Sequence, residues 1–140
     1  MKLPGYIFPK PQFGKYVPFF GTNVAYNVGP FIFLPKDIYK DLEKDNPKPE
    51  HIALLIHEET HRKRQKEIGF VKFGLQYIFN PKYRFNEELI ATKEGMRYLK
   101  KHKRPFDFDK RASLMSGFLY LWPVSKYYAK KELEKVWDEV

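Results

Sequence analysis

The segment IALLIHEETHRKRQ, residues 52–65, places two histidines four positions apart, with a glutamate directly after the first. On an α-helix, residues four apart lie on one face with their Cβ atoms roughly 5–6 Å apart, so His57 and His61 can bind one metal ion. Glu58 lies about 100° further round the helix, which is too far to share that ion but close enough to reach a water beside it. The pattern predicts a helix that carries a zinc site and a general base.

The alternative is a solvated helix face that happens to be rich in His and Glu. The flanking residues support the helix itself, because Pro49 suits a first helical turn and Gly69 suits a helix end. Apolar residues dominate from Ile52 to Ile56 and are nearly absent from there to Ile68. We expect a helix of this kind to leave the core halfway and line a cleft, which favours the metal site.

A catalytic zinc site has three protein ligands and one open position, so a third ligand is needed. The chain contains no cysteine, which excludes thiolate ligands, disulfides and thiol catalysis, so the ligand must be His, Asp or Glu. His51 should point to another side of the zinc helix. His102 lies in the basic run KKHKR, where a solvated side chain is expected.

Two adjacent glutamates in a later helix are the stronger candidates. Glu88 is favoured because Ala91 and Gly95 follow it on the same helix face, and such small residues let this helix approach the zinc helix closely. Glu87 remains an alternative. Glu88 could also be an N-terminal acid that favours the helix dipole, because Asn86 can cap this helix.

A length of 140 residues suits one domain, residues 1–140, and the 43% hydrophobic content is typical of a folded chain. Residues 1–23 form a Pro-rich N-terminal arm, and two short strands within FFGTNVAYNVGPFIFLP predict a small sheet or hairpin. From Asp37 onward the signals are helical. They predict four to five helices, including a buried helix FVKFGLQYIF and a C-terminal helical extension, residues 104–140, whose last helix Ser125 can cap. The fold class is α+β.

Several of these segments together resemble a family of enzymes. HEETH, the Gln four residues later, IGF, an aromatic helix and YRFNEELIA resemble the gluzincin clan of zinc metallopeptidases, especially the small single-domain minigluzincins. The resemblance covers about residues 24–99. It implies a zincin-like domain that binds one Zn²⁺ through His57, His61 and Glu88, with Glu58 activating water.

Two further features of the clan bear on this chain. The third ligand often begins a Glu-x-x-Ala pattern, which Ala91 completes here, but many relatives have an Asp where this chain has Thr92. The carboxylate that would orient a ligand histidine is therefore missing from that position. In the clan, a strand above the zinc helix pairs with extended substrate, and GPFIFLP resembles that strand.

These observations predict a zinc-dependent endopeptidase that acts on a peptide or protein substrate, with Glu58 as general base. The residue that stabilises the oxyanion stays open among Tyr77, Tyr83, Tyr98 and His102. The helices after Pro105 either complete the core, which is favoured, or cover the cleft as a lid.

The alternative function is a non-catalytic zinc-binding module. The net charge of +9 is concentrated in HRKRQK, KKHKR and KYYAKK, which suits nucleic acid or an acidic protein surface. The presence of Glu58 favours the enzyme, since a structural zinc site needs no base. With no apolar run near about 20 residues and a Pro-interrupted N-terminus, we expect a cytoplasmic protein without a membrane span.

Overall fold

The computed structural model describes residues 1–11, 24–117 and 124–140. In those residues the chain has an α+β fold with six helices and three strands, in the order β1 (Ile7–Pro9), β2 (Tyr26–Val28), β3 (Phe31–Leu34), α1 (Lys36–Leu42), α2 (Pro49–Ile68), α3 (Phe70–Phe79), α4 (Pro81–Lys101), α5 (Phe108–Met115) and α6 (Lys126–Glu139). The predicted class is confirmed. The predicted four to five helices are one too few, because α1 is a short helix that the signals after Asp37 did not separate from α2.

The sheet has the strand order β1-β3-β2, with β3 parallel to β1 and antiparallel to β2. The predicted hairpin is β2–β3, whose turn places Gly29 at a φ of 57°, a left-handed conformation that glycine adopts without strain. β1 lies within the predicted arm and adds a third strand, while residues 12–23 of that arm lie outside the described residues. The expectation that FIFL pairs with substrate is wrong, because β1 and β2 occupy both edges of β3.

The two faces of the sheet differ in their surroundings. Ile7, Ile32 and Leu34 are buried and pack with Leu42 and with apolar residues of α2. The opposite face is aromatic, and there the Tyr26 and Phe33 rings stack with centroids 5.0 Å apart. The sheet therefore covers one side of α2.

Helices α2 and α4 are in backbone contact at Gly95. A Cβ on Gly95 would lie only 3.0 Å from the carbonyl oxygen of Ala53. Ala91, one turn earlier on the same face of α4, is fully buried. The close approach expected from these small residues is confirmed.

Helix α3 differs from its prediction as a buried helix. Phe73 is buried, but Val71 and Phe79 are each 77% exposed and Leu75 is 54% exposed. Only one narrow stripe of α3 is buried, between α2 and α4. Several of its other apolar side chains are therefore exposed. None of the helices in the described part of the chain has the length and apolarity needed to cross a lipid bilayer.

The N-cap of α4 lies six residues before Asn86, which was predicted as the cap. The N-cap is Asn80, whose side chain accepts a hydrogen bond from the Tyr83 amide at 3.1 Å, and Pro81 takes the first helical position. Asn80 is thus both the C-cap of α3 and the N-cap of α4, so the two helices follow each other directly. Glu88 consequently lies about two turns into the helix, outside the first turn where the helix dipole favours an acid.

The last two helices complete a core against α4. Phe85 and Met96 of α4 pack with Ala112, Met115, Ala129 and Leu133 from α5 and α6. Ser125 caps α6 as predicted, accepting from the Tyr128 amide at 3.2 Å. Helix α5 ends at Met115, and residues 118–123 lie outside the described residues.

We predict that Gly95→Ala lowers the free energy of unfolding by about 1–3 kcal/mol, because the added methyl group presses on the Ala53 carbonyl and forces α2 and α4 apart. Gly74→Ala in α3 is the control. No part of the described chain outside its own turn lies within 4 Å of that added Cβ, so stability should rise by up to about 1 kcal/mol. Urea unfolding measures both, and equal effects would contradict the close contact.

We further predict that Leu133→Ala lowers the free energy of unfolding by about 2–5 kcal/mol, since Leu133 is fully buried in the core formed with α4. Leu75→Ala, on the exposed face of α3, should change it by about 0.5 kcal/mol or less. Thermal and urea unfolding supply the comparison. A small effect at Leu133 would show that α6 is not part of the cooperative core.

Candidate metal centre

The most buried positions of α2 after Ala53 are polar. His57, Glu58, His61 and Gln65 are all buried, whereas Ile52, Leu54, Leu55 and Ile56 are only partly so. The expectation that α2 leaves the core after Ile56 is therefore wrong. The helix stays packed, and its buried stripe simply changes from apolar to polar, facing α3 and α4.

Two of these polar positions, His57 and His61, converge with Glu88 of α4. The Nε2 atoms of His57 and His61 lie 3.1 Å apart. Glu88 Oε2 is 3.2 Å from His57 Nε2, and Glu88 Oε1 is 3.2 Å from His61 Nε2. The structure thus brings together the three side chains predicted as zinc ligands, with one donor atom of each within 4.8 Å of the others.

Glu88 is fixed in this position from the α3 side. The Tyr77 hydroxyl donates to Glu88 Oε1 at 2.5 Å. Arg84 of α4 in turn donates to the carbonyl oxygens of Tyr77 and Ile78 at 2.6 and 3.1 Å, which ties the end of α3 to α4. Sequence reasoning named Tyr77 only as an oxyanion candidate and did not foresee this bond.

Glu87 has a different partner, so the two glutamates are distinguished. Arg64 holds Glu87 with two hydrogen bonds, one of them from Nη2 to Oε1 at 2.8 Å. The Glu87 side chain is 3% exposed and points away from His57 and His61 towards the C-terminal half of α2. Glu87 joins α4 to α2, and Glu88 is the glutamate that reaches the histidines.

The other two histidines lie elsewhere, as predicted. His51 Nδ1 is 2.7 Å from Asp41 Oδ2, on a different side of α2. His102 is exposed at the end of α4, where its ring stacks on Tyr98 with centroids 4.1 Å apart. Neither belongs to the group of described residues, His57, His61 and Glu88, that could hold one ion.

Burial and mutual charge set the protonation of the three converging side chains. Burial lowers the pKa of His57 to about 4. Burial also acts to lower the pKa of His61, but the carboxylates of Glu88 and Glu58 outweigh it and raise that pKa. Burial acts to raise the pKa of Glu88, but the charge of His61 and the closeness of both imidazole rings, each 3.2 Å away, hold that pKa well below the usual range. His57 is thus neutral and Glu88 ionised, which are their metal-binding forms.

Glu58 lies beside this group without joining it. Burial raises the pKa of its carboxyl to about 7. The side-chain amide of Asn27, in β2, donates to Glu58 Oε2. No sequence signal identified Asn27, because the pairing of β2 with β3 brings it over α2 from 31 residues away.

The far nitrogens of the two histidines have weak support or none. Thr92 Oγ1 is 3.4 Å from His57 Nδ1, a long contact in the place where the resemblance led us to look for a carboxylate. His61 Nδ1 is buried and has no hydrogen-bond partner in the described residues. This differs from sites in which a carboxylate fixes the ligand imidazole.

Two cavities, each of about 510 Å³, meet at His57 and Glu58. The first is mainly apolar and runs between β2 and α3, with Tyr26 to Gly29 on one wall and residues that include Phe70, Phe73 and Tyr77 on the other. Of the four oxyanion candidates, Tyr77 is the one among the described lining residues. Its hydroxyl is already bonded to Glu88.

The second cavity lies between α2, α4 and α5. It is lined by Thr92 and Gly95 of α4 and by Lys110, Arg111 and Leu114 of α5. The positive charge of Arg111 is near enough to lower the pKa of both His57 and Glu58. Sequence reasoning missed Arg111, since it lies 50 residues from His61 in a segment weighed only as core or lid.

The chain was compared with family models, with curated proteins and with solved structures, and none of the three comparisons found a match. The arrangement of His57, Glu58, His61 and Glu88 therefore has to be interpreted from its own geometry.

Proposed function

We propose that the protein is a zinc-dependent peptidase with a zincin-like fold, in which His57, His61 and Glu88 bind one Zn²⁺ and Glu58 is the general base. The observation that carries the proposal is the convergence of three buried donor side chains next to a fourth, separately held carboxylate. The resemblance of HEETH and ELIA to the gluzincin clan supports the same assignment. The metal-binding part and the catalytic part can be tested independently.

The donor atoms fit zinc in type and spacing. Two imidazoles and a carboxylate form a catalytic zinc set, and in a tetrahedral site with bonds of about 2.0–2.1 Å neighbouring ligand atoms are roughly 3.3 Å apart. The two Nε2 atoms are 3.1 Å apart, and each lies 3.2 Å from a different oxygen of Glu88. One donor atom from each of the three residues lies within 4.8 Å of the other two. Glu88 Oε2 is buried and accepts no hydrogen bond from the described residues, so it is available to a cation. When bound, zinc supplies Lewis-acid chemistry by polarising a carbonyl oxygen and lowering the pKa of a water.

Glu58 moves the proton. Its carboxylate accepts a proton from the water that attacks the scissile carbonyl and returns it to the leaving amine. A carboxyl whose pKa burial raises to about 7 exchanges a proton in both directions near neutral pH. The hydrogen bond from Asn27 fixes the carboxylate, so one oxygen is held and the other can face the substrate.

The sheet provides a place for an extended peptide. Tyr26 to Gly29 line the first cavity along β2, which is the outer strand next to α2 among the described residues. A peptide there can add to the sheet by main-chain hydrogen bonds, and the apolar wall of α3 can receive alternate side chains. β2 takes the role that the sequence assigned to FIFL.

The alternative, a non-catalytic zinc module that docks on nucleic acid or an acidic protein, uses the same three ligands. That alternative gives no role to Glu58, which is buried beside the three ligands. Burying a carboxyl group costs free energy of folding, and a catalytic role for Glu58 would account for it. The peptidase is therefore the better supported proposal.

We predict about one zinc per purified chain, with the metal lost in His57→Ala, His61→Ala and Glu88→Ala, because two remaining ligands hold it poorly. Glu87→Gln is the matched control: it should keep zinc while lowering the free energy of unfolding by about 1–3 kcal/mol, since it weakens the buried bond to Arg64. Elemental analysis and titration with a zinc chelator give the metal content. If Glu87→Gln loses zinc and Glu88→Ala keeps it, the third ligand is assigned to the wrong residue.

We predict that Glu58→Gln keeps zinc and fold but reduces peptide hydrolysis by about 10²–10⁴-fold, the usual contribution of a general base. Glu59→Gln, one residue on and bonded to Tyr6 at 2.6 Å, should hydrolyse peptide at the wild-type rate. The measurement is turnover of casein and of a quenched fluorescent peptide library. Equal turnover by the wild type and Glu58→Gln would refute the peptidase proposal, even if zinc is bound.

A further inference from the structure

The second cavity carries a cation that the proposed mechanism does not use. Arg111 lies on α5 and lines this cavity together with His57 and Glu58. Its side chain is partly buried, and its charge is felt by both of those groups. Arg111 therefore shares a cavity with the proposed ligand His57 and the proposed base Glu58.

Apart from Glu58, which accepts a hydrogen bond from Asn27, the acidic groups around this cavity are engaged with other partners. Glu50 is paired with Arg104 at 2.6 Å, and Asp41 is 2.7 Å from His51. Asp107 accepts the Lys110 amide at 2.9 Å as the cap of α5. Across the described residues, no hydrogen bond or ion pair is made by the Arg111 side chain.

Glu58 feels the charge of Arg111 but forms no ion pair with it in the described residues, so the desolvation of this partly buried arginine is not fully compensated. The cost is recovered when a ligand supplies the anion. A guanidinium presents a planar fork of N–H donors that matches a carboxylate with two parallel hydrogen bonds. Lys110, exposed at the same cavity wall, adds a second positive charge.

We propose that Arg111 binds a carboxylate of the peptide substrate in the second cavity, so that the enzyme prefers peptides with an acidic side chain or a free C-terminal carboxylate close to the scissile bond. This inference deepens the proposed peptidase function and rests on it. Because the two cavities meet at His57 and Glu58, a peptide lies with its apolar part along β2 and α3 and its anionic part towards α5. Arg111 is a specificity residue that contacts substrate away from the reacting atoms.

The test measures binding and hydrolysis separately. Three pools of octapeptides of random sequence, labelled with an uncharged BODIPY dye, are used: neutral with an amidated C-terminus, the same with one Asp or Glu at a random position, and neutral with a free C-terminal carboxylate. Anisotropy gives the affinity of zinc-loaded Glu58→Gln, in which turnover is suppressed, with and without Arg111→Gln. Arg97→Gln, which removes an exposed arginine paired with Glu94 at 2.8 Å on α4, is the control for loss of one positive charge.

We expect at least one of the two carboxylate pools to bind more tightly than the neutral pool, by on the order of tenfold, which is the effect of one charge-assisted hydrogen-bonded pair. Arg111→Gln should abolish that difference, Arg111→Lys should restore part of it, and Arg97→Gln should keep it. Which pool responds identifies the source as a side chain or a C-terminus. Equal binding of all three pools, or a preference that survives Arg111→Gln, overturns the inference.

Hydrolysis of the same pools by the protein with Glu58 intact separates the two proposals. If no pool is cleaved, the peptidase proposal fails, while anisotropy still decides whether Arg111 binds a carboxylate. If the pools are cleaved at rates that do not depend on Arg111, the enzyme stands and the specificity does not. Circular dichroism of each variant confirms that the fold is kept.

Discussion

At Gly95 the backbone of α4 lies so close to α2 that an added Cβ would be 3.0 Å from the Ala53 carbonyl oxygen. Ala53 and His57 are one turn apart on α2, and Gly95 and Glu88 are two turns apart on α4, so this contact fixes how far the glutamate lies from the histidines. A larger residue at Gly95 would separate the helices. Side chains of the length of Glu and His, on two different helices, can reach one ion only if the helices are close. The candidate metal site therefore depends on the contact between α2 and α4.

The buried polar groups are the energetic problem that this packing creates. Moving an ionised side chain out of water costs several kcal/mol even after relaxation. Part of this cost is offset by the mutual attraction of His57, His61 and Glu88. Tyr77 also donates a hydrogen bond to Glu88, and Asn27 donates one to Glu58. His61 Nδ1 and Glu88 Oε2 have no such hydrogen bond within the described residues. Well-packed apolar residues of similar volume would stabilise α2 at least as well, and the proposed zinc site would give the polar stripe a role.

Local signals in the sequence predicted what depends on local structure. Pro49 and Gly69 bound α2, and Ser125 caps α6, because capping involves only neighbouring residues. The start of α4 was wrong because Asn80 and Asn86 carry the same signal. The exposure of α3 and the roles of Asn27 and Arg111 depend on tertiary packing, which periodicity does not report. The choice of Glu88 over Glu87 was open for the same reason, since it depends on Arg64.

The helices after Pro105 were considered either as core or as a lid, and the structure gives α5 both a core face and a cavity face. Ala112 and Met115 are buried against α4, while Arg111 and Leu114 line the second cavity. Arg111, which lines the second cavity, is therefore positioned by α5, the same helix that helps to complete the core. Removing α5 and α6 would expose Phe85 and Met96 before it could open the site. Helix α5 thus contributes to the core and to the wall of the second cavity at the same time.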